Sequence, residues 1–233
     1  MKKPYQSVPI VESNEPLTEI PSDLFPVFEP HPYAVLGADY DGRSPYFLRE
    51  LVLRRLIAAQ ICLQEERADL NLQIFDAYRP ITVQQFMVDH TFAELKGDRQ
   101  LNEAEEKEVW EQVYKFWAAP SDNPATPPPH STGAAIDLTL VTTDGDVIDM
   151  GGDIDEIGDR SYPDFYAEKT DSESQQYHQN RLLLRQVMTK AGFVQHPNEW
   201  WHFSLGDQMW AWLIERSTQQ RLIARYGSIA PVT

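Results

Sequence analysis

The sequence predicts a single α+β domain in which helices flank a small antiparallel sheet. Three patterns support this prediction: an amphipathic helix over residues 46–70, a strand at 72–78, and a second strand at 134–141 whose side chains alternate in polarity. A chain of 233 residues is long enough to bury a core without disulfide bonds.

Composition excludes several classes of function. Twenty basic against 36 acidic residues give a net charge of −16, which repels nucleic acid and anionic membranes. We therefore expect neither as a partner, and no obligate protein partner is evident. Cys62 has no second cysteine to pair with, which fits a reducing compartment. The first residues, 1–6, are followed by prolines and glutamates and not by an apolar run, so we expect a cytoplasmic protein.

The start of the chain predicts little regular structure. Residues 1–33 contain many prolines and show little periodicity, which indicates an extended arm lying over the domain. We place this N-terminal arm at 1–44, the core at 45–205 and a C-terminal helical extension at 206–233.

The first helix of the core is predicted from apolar residues at three-and-four spacing: Leu48, Leu51, Val52, Leu56, Ala59 and Leu63. The strand at 72–78 comes next, and Pro80 suits the first turn of another helix at 81–95. A third helix is predicted at 101–117, with glutamates that we interpret as a solvated face. The proline-rich stretch 120–129 is expected to form a stiff loop.

The strand at 134–141 places Ile136 and its apolar neighbours on a core face and Asp137 on the opposite face. A turn at 143–146 and a loop rich in Asp and Gly at 150–161 follow.

The last third of the core is predicted to contain a helix at 180–191 that ends at Gly192. A strand at 193–203 follows, and an amphipathic helix at 208–226 is expected to pack on the outside.

Three short segments carry chemically useful residues: 76–80, 130–137 and 199–202. A catalytic zinc site needs three N or O ligands and an open position for water, and two histidines with one aspartate meet that need. These are His130, Asp137 and His202. Two histidines and a carboxylate also suit iron or cobalt.

A carboxylate that does not bind the metal must hold the water, and Glu199 is the candidate. In an ideal strand, the side chains of Glu199 and His202 would face opposite sides. A bulge or a strand end near residues 200–201 is therefore required. Gly133 must let the chain turn so that His130 and Asp137 meet. Trp200 and Trp201 either wall the site or pack as core residues.

The other histidines lack comparable spacing, and we interpret them as structural or exposed: His31, His90, His178 and His196. A serine or cysteine hydrolase is disfavoured, because no Gly-x-Ser-x-Gly motif occurs and Cys62 lies in a helical pattern.

These segments, in this order, resemble the D-alanyl-D-alanine dipeptidase family of zinc peptidases. The family pattern His, two residues, Gly, one residue, Ala, one residue, Asp is matched from His130 to Asp137. The Glu-Trp-Trp-His segment 199–202 and the Arg-Pro pair 79–80 are also matched. The resemblance covers roughly residues 45–205. It implies the α+β fold shared by the D,D-peptidases of this clan and the hedgehog signalling domain.

Carried over to this sequence, the resemblance implies that one Zn²⁺ is bound by His130, Asp137 and His202. It also implies that Glu199 is the general base and that Arg79 steadies the oxyanion. Pairing of Arg79 with acidic neighbours is the alternative. Asp155 falls where the family binds the substrate's free amino group, although a loop aspartate that only bonds a turn would look the same.

Pro128 departs from the family, which usually has a serine two residues before the first ligand. The resemblance implies a dipeptidase that acts on D-alanyl-D-alanine or a similar short D-peptide in cell-wall peptide turnover. A D,D-carboxypeptidase for longer peptidoglycan stems and a non-catalytic zinc-stabilised binding domain stay open as alternatives.

Overall fold

A four-stranded antiparallel sheet forms the centre of the computed structural model, which describes residues 3–229. The strand order is β3-β4-β6-β5, and a separate pair, β1-β2, joins the N-terminal arm to the core. The strands are β1 (Leu17–Glu19), β2 (Phe47–Arg49), β3 (Leu70–Asp76), β4 (Ala135–Thr142), β5 (Val194–Gln195) and β6 (His202–Ser204).

Helices cover the sheet and form a second apolar cluster beside it. The helices are α1 (Pro32–Leu36), α2 (Glu50–Glu66), α3 (Ile81–Lys96), α4 (Glu103–Phe116), α5 (Ser172–Lys190) and α6 (Gln208–Thr218). Helices α2 and α5 bury their apolar faces with the sheet in the main core, while α3, α4 and α1 share the second cluster. The α+β class predicted from the sequence is confirmed. No helix among residues 3–229 is long and apolar enough to cross a bilayer.

The predicted helices and strands of the first half are confirmed, with shifts at their ends. The first helix begins at Glu50 because residues 47–49 pair with β1 as a strand. The acidic residues of α4 are exposed, as a solvated face requires. Strand β4 lies between β3 and β6 in the sheet, and both of its faces are buried, including the face that carries Asp137.

Two predictions for the last third were wrong in extent. Helix α5 begins at Ser172, eight residues before the predicted start, because Asp171 caps it there. Its first two turns are polar, so no apolar spacing marks them in the sequence. The predicted strand 193–203 is a hairpin: β5 and β6 pair with each other, and residues 196–201 form the turn.

The C-terminal helix ends at Thr218, and the predicted helix to 226 was therefore too long. The following residues are irregular and bond to the N-terminal arm, where the Val11 and Ser13 amides donate to the carbonyls of Ala224 and Arg225 at 2.9 Å. Residues 1–2 of the predicted arm and 230–233 of the predicted extension lie outside the described residues. The division into arm, core and extension stays a prediction.

Gly206 follows β6 and lies against the ring of Tyr226 in the C-terminal segment. Its φ is +88°, and an added Cβ would lie 2.6 Å from the buried ring of Tyr226. We expect Gly206→Ala to lower the free energy of unfolding by about 2–4 kcal/mol, because backbone strain and a steric clash add. Urea unfolding measures this loss.

The matched control is Gly145→Ala, where φ is +95° but no atom lies within 4 Å of the new Cβ. It should lose only the strain contribution, about 1–2 kcal/mol. Equal losses in the two variants would show that contact with Tyr226 does not matter.

Candidate active site

The three predicted ligand residues lie together at one end of the sheet. Asp137 on β4 stands opposite His202 on β6, and His130 belongs to the 3-10 helix His130–Thr132 just before β4. Gly133 makes this approach possible, since its φ of +70° turns the chain from that helix into the strand. All three side chains are buried, and one ligand atom from each lies within 4.8 Å of the others.

The donor atoms of this cluster have the spacing of a metal site. Nε2 of His130 lies 3.1 Å from Nδ1 of His202 and 3.2 Å from Oδ2 of Asp137. Nδ1 of His202 lies 3.0 Å from Oδ1 of Asp137. Ligands at 2.0–2.1 Å from a tetrahedral zinc ion would be about 3.3 Å apart. Within residues 3–229, Oδ1 of Asp137 is buried without a hydrogen-bond partner. The residues therefore fit a bound metal.

Each histidine is oriented by a hydrogen bond from its other ring nitrogen. His130 donates from Nδ1 to the carbonyl of Ala77 at 2.8 Å, which leaves its Nε2 free as a ligand. His202 lies with Nε2 at 3.3 Å from the Ser204 hydroxyl, and that hydroxyl donates to Oδ2 of Asp207 at 2.9 Å. This contact leaves Nδ1 of His202 available to a metal.

Ser204 and Asp207 were not singled out from the sequence. Ser204 is two residues after His202, and residues two apart in a strand lie on the same face. This spacing could have identified Ser204 as a neighbour of His202. Asp207 also caps α6, since its Oδ1 accepts from the Trp210 amide at 2.7 Å. One aspartate thus fixes both the helix start and, through Ser204, the orientation of His202.

Glu199 lies in the turn of the β5–β6 hairpin, and this resolves the conflict with strand alternation. Its Oε2 is 3.7 Å from Nδ1 of His202, so the carboxylate faces the predicted metal position. Burial raises the pKa of Glu199 well above its usual range, and the carboxylates of Asp137 and Asp155 raise it further. A bound divalent cation would oppose this rise.

His196, interpreted from the sequence as structural or exposed, contacts Glu199. It is buried, and its Nδ1 accepts from the Asn198 amide at 3.2 Å and lies 3.5 Å from Oε1 of Glu199. Burial holds the pKa of His196 well below its usual value, and the neighbouring His202 lowers it further. A neutral ring with its proton on Nε2 lets Nδ1 accept from the Asn198 amide.

Arg79 is buried beside the cluster in a fixed orientation. Its Nε donates to Oδ2 of Asp76, its Nη1 to Oε1 of Gln84 and its Nη2 to the hydroxyl of Tyr33, each at 2.9 Å. Nη2 also lies 3.4 Å from Oδ2 of Asp137. Nη1 makes a single hydrogen bond to a described residue, and one of its two N–H groups is available for a ligand.

Two aromatic rings hold the guanidinium of Arg79. Its central carbon lies 4.9 Å from the ring centroids of both Tyr33 and Trp117. Neither ring was a candidate from the sequence, because Tyr33 belongs to the N-terminal arm and Trp117 follows the acidic helix α4.

Asp76 lies in the same cross-strand row as Asp137 and His202, on neighbouring strands of the sheet. It accepts from Nε2 of His31 at 3.1 Å and pairs with Arg79 at 2.8 Å. Burial alone would raise the pKa of Asp76, but Arg79 and His31 outweigh that effect and hold the pKa at about 2. Asp76 is therefore the permanent counter-charge of Arg79, and His31 is a buried part of this network.

Asp155 lies at the edge of the same pocket, half-buried and with a φ of +65°. Its Oδ2 accepts from the Tyr33 hydroxyl at 2.7 Å. Burial raises the pKa of Asp155 to about 7, and the charge of Asp137 contributes to the rise. Tyr33 thus connects Asp155 to Arg79.

The pocket above this cluster is narrow and is lined by residues from both ends of the domain. Trp201 and Met209 line it, as do Lys3 and Tyr5 from the N-terminal arm. Of the two tryptophans, Trp201 faces the pocket, while Trp200 lines a separate cavity behind it.

The sequence matches the D-Ala-D-Ala dipeptidase family of peptidases over residues 27–221. It is 48% identical over 239 residues to a D-alanyl-D-alanine dipeptidase of Synechocystis, with 97% of each chain covered. A D-alanyl-D-alanine dipeptidase of Streptomyces coelicolor is 29% identical over 186 residues, covering 74% of this chain and 80% of that protein. The enzyme of that name from Escherichia coli is 46% identical over 76 residues, covering 33% and 37%.

Solved structures that match this chain show much lower identity. The LdcB LD-carboxypeptidase gives a TM-score of 0.46 at 16% identity, covering 88% of this chain and 75% of that one. A VanY D,D-pentapeptidase solved in complex with Zn(II) gives 0.44 at 16% identity, covering 93% and 96%.

Proposed function

Because this chain belongs to the D-Ala-D-Ala dipeptidase family of peptidases, we propose that it hydrolyses D-alanyl-D-alanine in the turnover of cell-wall peptides. The observation that carries the proposal is the His130–Asp137–His202 cluster with the Glu199 carboxylate 3.7 Å from one of its ligand atoms. A purely structural metal site would need no carboxylate at that place.

One Zn²⁺ per chain is the proposed cofactor, held by Nε2 of His130, the carboxylate of Asp137 and Nδ1 of His202. When bound, zinc lowers the pKa of a coordinated water to about 7 and polarises a carbonyl. The hydrogen bonds that fix both histidine tautomers support this ligand set.

Glu199 acts first as a general base. Its carboxylate accepts a proton from the water that attacks the peptide carbonyl, and it then delivers this proton to the nitrogen of the leaving D-alanine. The hairpin turn keeps the carboxylate close to the ligand atoms throughout.

Arg79 and Asp155 position the rest of the substrate. Asp155 binds the free amino group, and the available N–H of Arg79 donates to the oxyanion that forms on the carbonyl oxygen. Asp76 and the two aromatic rings support this role, because they hold the guanidinium without using that N–H.

Substrate length separates this proposal from a carboxypeptidase acting on longer stems. We expect D-alanyl-D-alanine to be hydrolysed with a kcat/KM about 10–100-fold above that of N-acetyl-D-alanyl-D-alanine, because the acetyl group removes the charge that Asp155 binds. Chromatographic measurement of released D-alanine checks this.

Preference for the blocked peptide, or for a longer stem peptide, would favour the carboxypeptidase. Failure of the metal-loaded protein to cleave any of these peptides would favour the non-catalytic binding domain.

Location in the cytoplasm also stays a proposal. Its support is the single Cys62, which has no second cysteine to pair with. Fractionation of the source cells, with detection of the protein by antibody, tests it.

A further inference from the structure

We propose that Lys3 binds the α-carboxylate of the substrate and thereby makes the enzyme specific for a free C-terminus. The proposal rests on the dipeptidase function above and adds the residue that recognises the second charged end of the dipeptide.

The N-terminal arm that carries Lys3 is anchored independently of the lysine side chain. Tyr5 is buried at 5% exposure and lines the pocket. Nε2 of Gln208 on α6 donates to the carbonyl of Val8 at 2.6 Å, and the Lys3 amide donates to Oε1 of Gln6 at 2.9 Å. The backbone of the arm thus places Lys3 at the pocket.

The ammonium group of Lys3 has no ion-pair partner within 4.0 Å in the described part of the chain. Lys3 is half-buried in the pocket wall, and its Nζ donates weakly to the carbonyl of Lys115 at 3.4 Å. Burial lowers the pKa of Lys3, which is the physical sign of a cation short of counter-charge, while Glu199 nearby opposes that change. The carboxylate of a bound substrate would provide the ammonium group of Lys3 with an ion-pair partner.

Arg79, the other cation of this pocket, is already neutralised. It pairs with Asp76 at 2.8 Å and approaches Asp137 at 3.4 Å, and its remaining N–H is assigned to the oxyanion. The pocket also contains the carboxylates of Asp155 and Glu199. With a net charge of −16 on the whole chain, a substrate carboxylate needs a local cation, and Lys3 provides one.

Lys3 and Asp155 contact different parts of the pocket wall. Lys3 donates to the carbonyl of Lys115, whereas Asp155 accepts from Tyr33 beside Arg79. In a dipeptide the leaving nitrogen is one carbon away from the carboxylate, so the carboxylate must lie near Glu199, which protonates that nitrogen and lines the pocket together with Lys3. We therefore place the amino end of the dipeptide at Asp155 and the carboxyl end at Lys3.

The pocket wall beside His130 offers no donor of its own. Pro129 lines it, and a proline has neither a side-chain hydroxyl nor a backbone N–H.

The test compares D-alanyl-D-alanine with its C-terminal amide in the zinc-loaded full chain, for wild type, Lys3→Met and Lys3→Arg. Wild type should favour the free acid by about 10–100-fold in kcat/KM, the value of a hydrogen bond to a charged group. Lys3→Met should raise KM for the free acid by that factor, leave the amide unchanged and keep kcat within about threefold. Lys3→Arg should restore most of the preference.

Lys115→Met is the matched control. It removes an exposed lysine beside the pocket whose side chain does not line it, and it should change neither substrate. Retained preference for the free acid in Lys3→Met would overturn the proposal. A loss of kcat with unchanged KM would also overturn it, because Lys3 would then act on Glu199 and not on substrate. Failure of the wild type to cleave either substrate would instead refute the dipeptidase function, and this proposal with it.

Discussion

Glu199→Gln is expected to lower kcat for D-alanyl-D-alanine by about 10²–10⁴, because the amide keeps the volume of the side chain but cannot accept a proton. The metal should stay bound, since the proposed ligands are His130, Asp137 and His202, and Glu199 lies 3.7 Å from Nδ1 of His202. Steady-state kinetics and metal content, measured on the same preparation, check both parts.

Glu156→Gln provides the control for this experiment. Glu156 is a half-buried glutamate of the 150–161 loop whose Oε1 pairs with Arg160 outside the pocket. It should keep wild-type kcat. A Glu199→Gln enzyme that retained more than about a tenth of wild-type kcat would show that another group takes the proton.

Arg79→Lys is expected to lower kcat by about 10²–10³, the usual cost of removing one donor to an oxyanion. Lysine keeps the charge but loses the planar fork that Asp76, Gln84 and Tyr33 hold in place. Stability should also fall, because the buried Asp76 carboxylate loses part of its partner. Kinetics and thermal unfolding separate the two effects.

Arg181→Lys separates catalytic from structural loss. Arg181 is fully buried and stacks on Tyr166 and Trp200, but it does not line the pocket. It should lower the unfolding temperature with little change in kcat. An equal loss of kcat in Arg79→Lys and Arg181→Lys would mean that Arg79 acts only by supporting the fold.

The parts of the fold and site that were predicted correctly are those with a regular residue spacing or a short motif. Helix α2 and strand β4 have regular apolar spacing, and the segment 130–137 contains two residues of the cluster within one short stretch. Strand pairing then brings Asp137 opposite His202. The motifs name both residues, but periodicity within one strand does not reveal which strand it pairs with or in which register.

The hairpin at residues 196–201 could not be read from alternation. Pro197 and Asn198 within it favour a turn, and the chain reverses there, with the His196 amide donating to the His202 carbonyl at 2.9 Å. That reversal places Glu199 and His202 on the same side. Similarly, the start of α5 was missed because its first two turns carry no apolar face.

The contribution of the N-terminal arm to the site was not predicted from the sequence. Tyr33, His31 and Lys3 reach the site only through tertiary contacts, and the residues they meet are more than 40 positions away in the chain. A proline-rich segment has no period that could reveal such contacts. Asp76, by contrast, is three residues before Arg79 and could have been identified as its counter-charge.

The most direct measurement is the release of free D-alanine from D-alanyl-D-alanine by protein stripped of metal and then titrated with zinc. We expect no release from the stripped protein and full activity at one zinc per chain. Release that survives stripping, or none from folded protein carrying one zinc, would contradict a zinc-dependent dipeptidase.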